Sequence, residues 1–153
     1  MKHEEILKNA ENGSPSNQMF LGHCYLIGKD SDDKTIPIDY EKAKYWLEKA
    51  HSKGVGTASF LLGTIYEGGL GTTVDILRAI ELYKKSAETD SILAPLALAR
   101  LYAKGKGVEQ SMEKAIYWYE RVVANEGSIE PSVHEDSFKE IIREAKEYIN
   151  KIG

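Results

Sequence analysis

Ala58-Ser59-Phe60-Leu61-Leu62-Gly63-Thr64-Ile65-Tyr66 decides the fold, because the chain carries this pattern three times. Shifted by 36 residues it becomes Ala94-Pro95-Leu96-Ala97-Leu98-Ala99-Arg100-Leu101-Tyr102, and 41 residues back it is Asn17-Gln18-Met19-Phe20-Leu21-Gly22-His23-Cys24-Tyr25. The stretch after each copy also recurs. Asp39, Lys42-Ala43, Trp46 and Lys49-Ala50 become Asp75, Arg78-Ala79, Leu82 and Lys85-Ser86, and then Ser111, Lys114-Ala115, Trp118 and Arg121-Val122. Small, aromatic and capping positions align together, which marks a three-unit array.

Each unit reads as two helices. In the first, Leu62, Gly63 and Tyr66 share one side at helical spacing. A mid-helix glycine costs about 1 kcal/mol against alanine, so Gly22 and Gly63, with Ala99, are expected where a partner helix crosses closely. Gly28, Gly68-Gly69 and Gly105 end the first helix, since glycine accepts the left-handed conformation of a C-terminal cap. Asp39, Asp75 and Ser111 stand at the N-cap of the second helix, where a side-chain oxygen satisfies free backbone N–H groups. Ala43, Trp46 and Ala50 trace its buried stripe, repeated by Ala79, Leu82 and Ser86.

Unit one carries five extra residues between its helices. Lengthening such a turn costs only about 0.4 kcal/mol. The insert is charged, and Asp30, Asp32 and Asp33 suggest a calcium loop, but the glycine and distal glutamate of that motif are missing. It is expected to be solvated, with no metal. Residues 3–13 read as an N-terminal capping helix through Ile6, Leu7 and Ala10, and units occupy 16–54, 57–90 and 93–127. A long amphipathic helix starting at Pro131 or Ser132 covers 131–152, with Phe138, Ile141, Ile142, Ala145 and Ile149 on one face. Terminal elements of an array seal its open apolar face.

Composition narrows the function. The chain has 153 residues, 42% hydrophobic and 29% charged, the profile of one soluble globular domain. A net charge of −4 argues against nucleic acid, whose binders draw affinity from Lys and Arg displacing counterions. Cys24 is the single cysteine, so no internal disulfide is expected. No signal peptide and no membrane-length apolar run is read, and the expected location is cytoplasmic.

These residues resemble the Sel-1-like repeat family, relatives of the tetratricopeptide repeats. Unit one matches its pattern at Leu21, Gly22, Tyr25, Gly28, Asp39, Lys42, Ala43, Trp46, Lys49, Ala50 and Gly54. Unit three matches at Ala94, Leu98, Tyr102, Gly105, Gly107, Val108, Lys114, Ala115, Trp118 and Tyr119, while unit two replaces the tryptophan with Leu82 and the closing glycine with Asp90. The resemblance implies an all-α, right-handed α/α superhelical solenoid with terminal caps, its first helices on the concave side. It also implies an adaptor that binds a protein or peptide partner, such as a secretion or envelope component. An immunity protein neutralising a toxin is the alternative, and a small-molecule or cell-wall-fragment sensor a third. Carrying over the tetratricopeptide geometry, the partner-facing positions are Met19, His23 and Leu26; Phe60, Thr64 and Glu67; Leu96, Arg100 and Ala103.

No catalytic residues are assigned. His3, His23, His51 and His134 lack metal spacing, and Cys24 points about 100° away from His23 on a helix. The Gly68-Gly69-Leu70-Gly71 and Gly105-Lys106-Gly107 runs lack the Gly-Lys-Ser/Thr ending of a phosphate loop. A non-enzyme without cofactors is the expectation.

Overall fold

The computed structural model describes residues 2–89, 91–128 and 135–152. The helix start expected at Pro131 or Ser132, Asp90 and His134 lie outside the described residues. The chain divides into two compact units, Met1–Leu82 and Tyr83–Gly153. The first holds α1 (His3–Glu11), α2 (Pro15–Ile27), α3 (Tyr40–Ser52) and α4 (Gly56–Gly68). Helix α5 (Ile76–Ser86) crosses the division, and the second unit holds α6 (Leu93–Lys104), α7 (Met112–Ala124), a 3-10 turn (Glu126–Ser128) and α8 (Glu135–Ile152). Among the described residues no β-strand forms; the nearest thing is an isolated antiparallel bridge between Lys29 and Thr35 in the insert.

The helix boundaries arise from the repeat's polar punctuation. Asp39 accepts the Lys42 N–H at 2.9 Å, Asp75 the Arg78 N–H at 3.0 Å and Ser111 the Lys114 N–H at 3.2 Å. The first helices of the units end on Gly28, Gly69 and Gly105, with φ of 73°, 64° and 65°. The repeated tyrosine and lysine are a pair as well. Lys42 Nζ lies 5.3 Å from the Tyr25 ring centre and Lys114 Nζ 5.1 Å from that of Tyr102, a cation–π contact joining the two helices of one repeat.

In the first unit, Ala43, Leu47 and Ala50 of α3 pack with Ala58, Leu62 and Ile65 of α4 and Leu82. Gly22 lies where α2 and α3 cross: a Cβ there would stand 2.5 Å from Leu47 Cγ and 3.2 Å from the Ala43 carbonyl. Ile6 and Ala10 of α1 close a second cluster with Leu21 and Trp46. The junction is fastened by Gln18, which donates to the Ala10 carbonyl at 2.9 Å, and by Lys53, which donates to the Gly13 carbonyl at 2.6 Å. In the second unit, Leu96, Ala99, Tyr119 and Val122 pack with Ile142 and Ala145 of α8. Arg121 donates to the Ala87 carbonyl and Asn125 to that of Ser91, binding the start of this unit to α7.

Candidate functional site

The partner-facing positions are not equivalent once folded. On α2, Met19 and Leu26 turn partly inward against the Ala43–Leu82 cluster, and His23 is half-buried. The outward edge of this helix is Ser16, Phe20, His23 and Ile27, at spacings of four, three and four residues. Phe20 is 36% exposed and Ile27 48%. Helix α2 is thus apolar on nearly all sides while one side stays open, an arrangement otherwise found in buried helices. On α4, Phe60, Thr64 and Glu67 are all half-buried, and the Thr64 hydroxyl donates to the Leu61 carbonyl at 2.7 Å.

The second unit places its three positions differently. Leu96 is 4% exposed, inside the core with Tyr119 and Ile142, so its side chain offers almost no surface. Ala103 is half-buried. Arg100 is exposed but engaged: its Nε and one terminal nitrogen donate to the two Glu144 oxygens at 2.9 and 2.6 Å, and the Tyr119 hydroxyl donates to the same carboxylate at 2.9 Å. The Arg100 hydrogen bonds hold Glu144 below the usual carboxylate range against the opposing effect of burial. Burial first, then the Glu144 carboxylate, pushes the Tyr119 phenol upward.

Phe20, Ile27, Tyr119 and Glu144 are absent from the partner-facing positions carried over from the tetratricopeptide geometry. A signal for Glu144 does exist: it is a lone carboxylate between Ile141, Ala145 and Tyr148 on the apolar stripe of α8, a position that requires a partner. Phe20 gives a weaker sign, because the neighbouring Met19 carries the register that places the surface.

No reactive arrangement forms at the other polar groups considered. Cys24 is buried, and burial, reinforced by the nearby Asp30 charge, raises its thiol pKa, the reverse of an activated nucleophile. His51 Nδ1 lies 2.7 Å from Ser59 Oγ, a serine–histidine distance, yet Ser59 is 1% exposed and its hydroxyl also reaches the Val55 carbonyl. The pair fastens α3 to α4. Among the described residues no group of three or more His, Cys, Asp or Glu side chains is arranged to hold a metal. In the insert, Asp30 Oδ1 is occupied by the N–H groups of Asp32 and Lys34, both at 2.9 Å. Among the described residues no helix is long and apolar enough to cross a membrane.

Paired helices of fixed period with capping helices define an α/α repeat protein. The Sel1 repeat family model matches residues 18–55, 57–90 and 94–121, and the chain belongs to the Sel1 repeat family. Such repeats typically mediate protein–protein interaction, and the family is generally non-catalytic. Chitin synthase regulatory factor 3 of Schizosaccharomyces pombe is 25% identical over 126 residues, covering 80% of this chain and 14% of that protein. A Sel1 repeat protein from Oxalobacter formigenes superposes with a TM-score of 0.64 at 28% identity, over 74% of this chain and 43% of the other. The protective antigen c5321 of uropathogenic Escherichia coli, which displays an SLR fold, gives 0.73 at 23% identity, over 100% and 34%. The chain therefore spans less than half the length of each of these three proteins.

Proposed function

We propose that the protein is a non-catalytic adaptor that grips a protein partner through the open faces of α2 and α4 in its first unit, with α2 as the anchor. One observation carries this reading: Phe20 and Ile27 are left in solvent on a helix whose other sides are already apolar and packed. A few residues carry most of the energy of an interface, and aromatic side chains, Phe among them, are enriched there. Met19 and Leu26 stiffen the ridge from below, and His23, Phe60, Thr64 and Glu67 supply its flanks. The S. pombe relative, named as a regulatory factor of an enzyme, favours an adaptor role over the toxin-immunity and sensor readings. In the second unit, burial withholds Leu96 from a partner, and Arg100 meets one only together with the carboxylate it already holds.

The test is affinity purification from the native host with wild-type bait and with Phe20→Asp/Ile27→Asp. Both positions are exposed, so the helical circular dichroism should be unchanged. A partner retained by the wild type and lost by the double variant is the expected result. Equal retention by both would move the binding surface away from α2.

A further inference from the structure

Five asparagines occur in the chain, and only Asn12 is followed by glycine. That dipeptide carries a reaction of its own. The glycine backbone nitrogen attacks the asparagine side-chain carbonyl carbon and closes a five-membered ring, favoured because the reacting groups are already tethered. A residue without a Cβ leaves the approach clear. Asn12 is exposed, and a Cβ placed on Gly13 would meet nothing tighter than Lys53 Nζ at 3.4 Å.

The folded turn holds the two groups apart. Asn12 ends α1 with φ −77° and ψ 5°, which eclipses the Gly13 nitrogen with the Asn12 nitrogen and swings it about a third of a turn from the side chain. The Gly13 N–H donates to the Ala10 carbonyl and the Ser14 N–H to that of Asn9, both at 3.0 Å. These are the paired bonds that finish a helix on a left-handed glycine, here at φ 94°. Side chains brace the turn. Lys53 Nζ donates to the Gly13 carbonyl at 2.6 Å and to Gln18 Oε1 at 3.3 Å, and Gln18 Nε2 donates to the Ala10 carbonyl at 2.9 Å. The geometry does not call for asparagine: the turn after α3 makes the same two bonds, Gly54 N–H to His51 and Val55 N–H to Ala50, with Lys53 in the place of Asn12.

We infer that Asn12 is a self-modification site gated by the opening of this turn. When the end of α1 opens locally, Asn12 ψ rotates, and the Gly13 nitrogen loses its proton to hydroxide and bonds to Asn12 Cγ. The side-chain nitrogen leaves as ammonia, taking a proton from water. Water then opens the cyclic imide at either carbonyl, so asparagine plus water becomes aspartate or isoaspartate plus ammonia. Either product puts a negative charge at the C-terminal end of α1, where the helix dipole is already negative. Isoaspartate also lengthens the main chain by one carbon, which breaks the two closing bonds. Ile6 and Ala10 of α1 cover Leu21 and Trp46, so the conversion loosens the seal on the first unit, irreversibly and without a partner.

The purified chain, held at neutral pH and sampled by peptide mapping with mass spectrometry, tests this. Amide-to-acid conversion, with the aspartate and isoaspartate peptides separated by chromatography, should appear at Asn12 before Asn9, Asn17, Asn125 or Asn150. The urea-unfolded chain should convert faster than the native one. Lys53→Ala, which removes two braces from an exposed side chain, should speed the native reaction about fivefold. Hydrogen exchange in α1 should rise with the converted fraction, and Asn12→Ser should show neither change. A native chain that stays intact while the unfolded chain converts in full would overturn the inference. So would conversion spread over all five asparagines, equal rates for wild type and Lys53→Ala, or α1 exchange indifferent to conversion.

Discussion

At the scale of single residues, the repeat uses small and charged positions for opposite reasons. Gly22 is small because Leu47, which is fully buried, occupies the space a Cβ would need. Gly22→Ala should therefore cost about 1–3 kcal/mol by overpacking, read as a lower denaturant midpoint with an unchanged slope; an unaltered midpoint would show that α2 and α3 separate freely. Glu144 acts through its charge. Its folded pKa lies below the ordinary value, so its stabilising contribution is present above the unfolded carboxyl pKa of about 4.3 and is lost as pH falls through the lower folded value. Glu144→Gln should melt below wild type at neutral pH, by about 1 kcal/mol for a partly exposed pair, and the gap should close in acid. A gap that persists when the carboxylate is protonated would assign the effect to shape instead of charge.

Among the elements, helix ends are the most legible feature. Asp39, Asp75 and Ser111 cap as the repeat predicts, because an N-cap depends on a side chain three residues from its own target N–H. The buried stripe is legible in part. Ala43, Trp46 and Ala50 are buried, yet Leu47 and Tyr83 are buried more completely than Trp46, since second helices in the array pack on more than one side. Trp46 still joins α1 to the first repeat through Ile6, Ala10 and Leu21, and Trp46→Ala should cost about 3–5 kcal/mol. A melting temperature equal to wild type would contradict that packing. Asp39→Ala, which removes a single cap, should cost about 1 kcal/mol, again by thermal melting. The charges of the insert predict a solvated turn, and the structure gives it more: Ser31 lines an open cleft with Ile6 of α1 and Phe20 of α2, which no period could reveal because it joins α1, α2 and the turn.

On the level of the whole molecule, contacts between neighbouring repeats dominate an array, so stability need not be lost uniformly. Trp46→Ala should raise native-state hydrogen exchange in α1 to α4 more than in α6 to α8, and an equal rise everywhere would show one cooperative unit. The amino-acid sequence by itself determined the three-repeat, all-helical class, the caps and most of the core, because each of these depends on residues a few positions apart or one period apart. The tertiary structure alone decided which apolar residues reach solvent. Met19 and Phe20 are adjacent and both apolar, and only the packing of α2 on its neighbours turns the first partly inward against the Ala43–Leu82 cluster and leaves the second 36% exposed. It also gave Arg100 an internal carboxylate from 44 residues away, since nothing local in the chain specifies which charge a docked helix will bring to it.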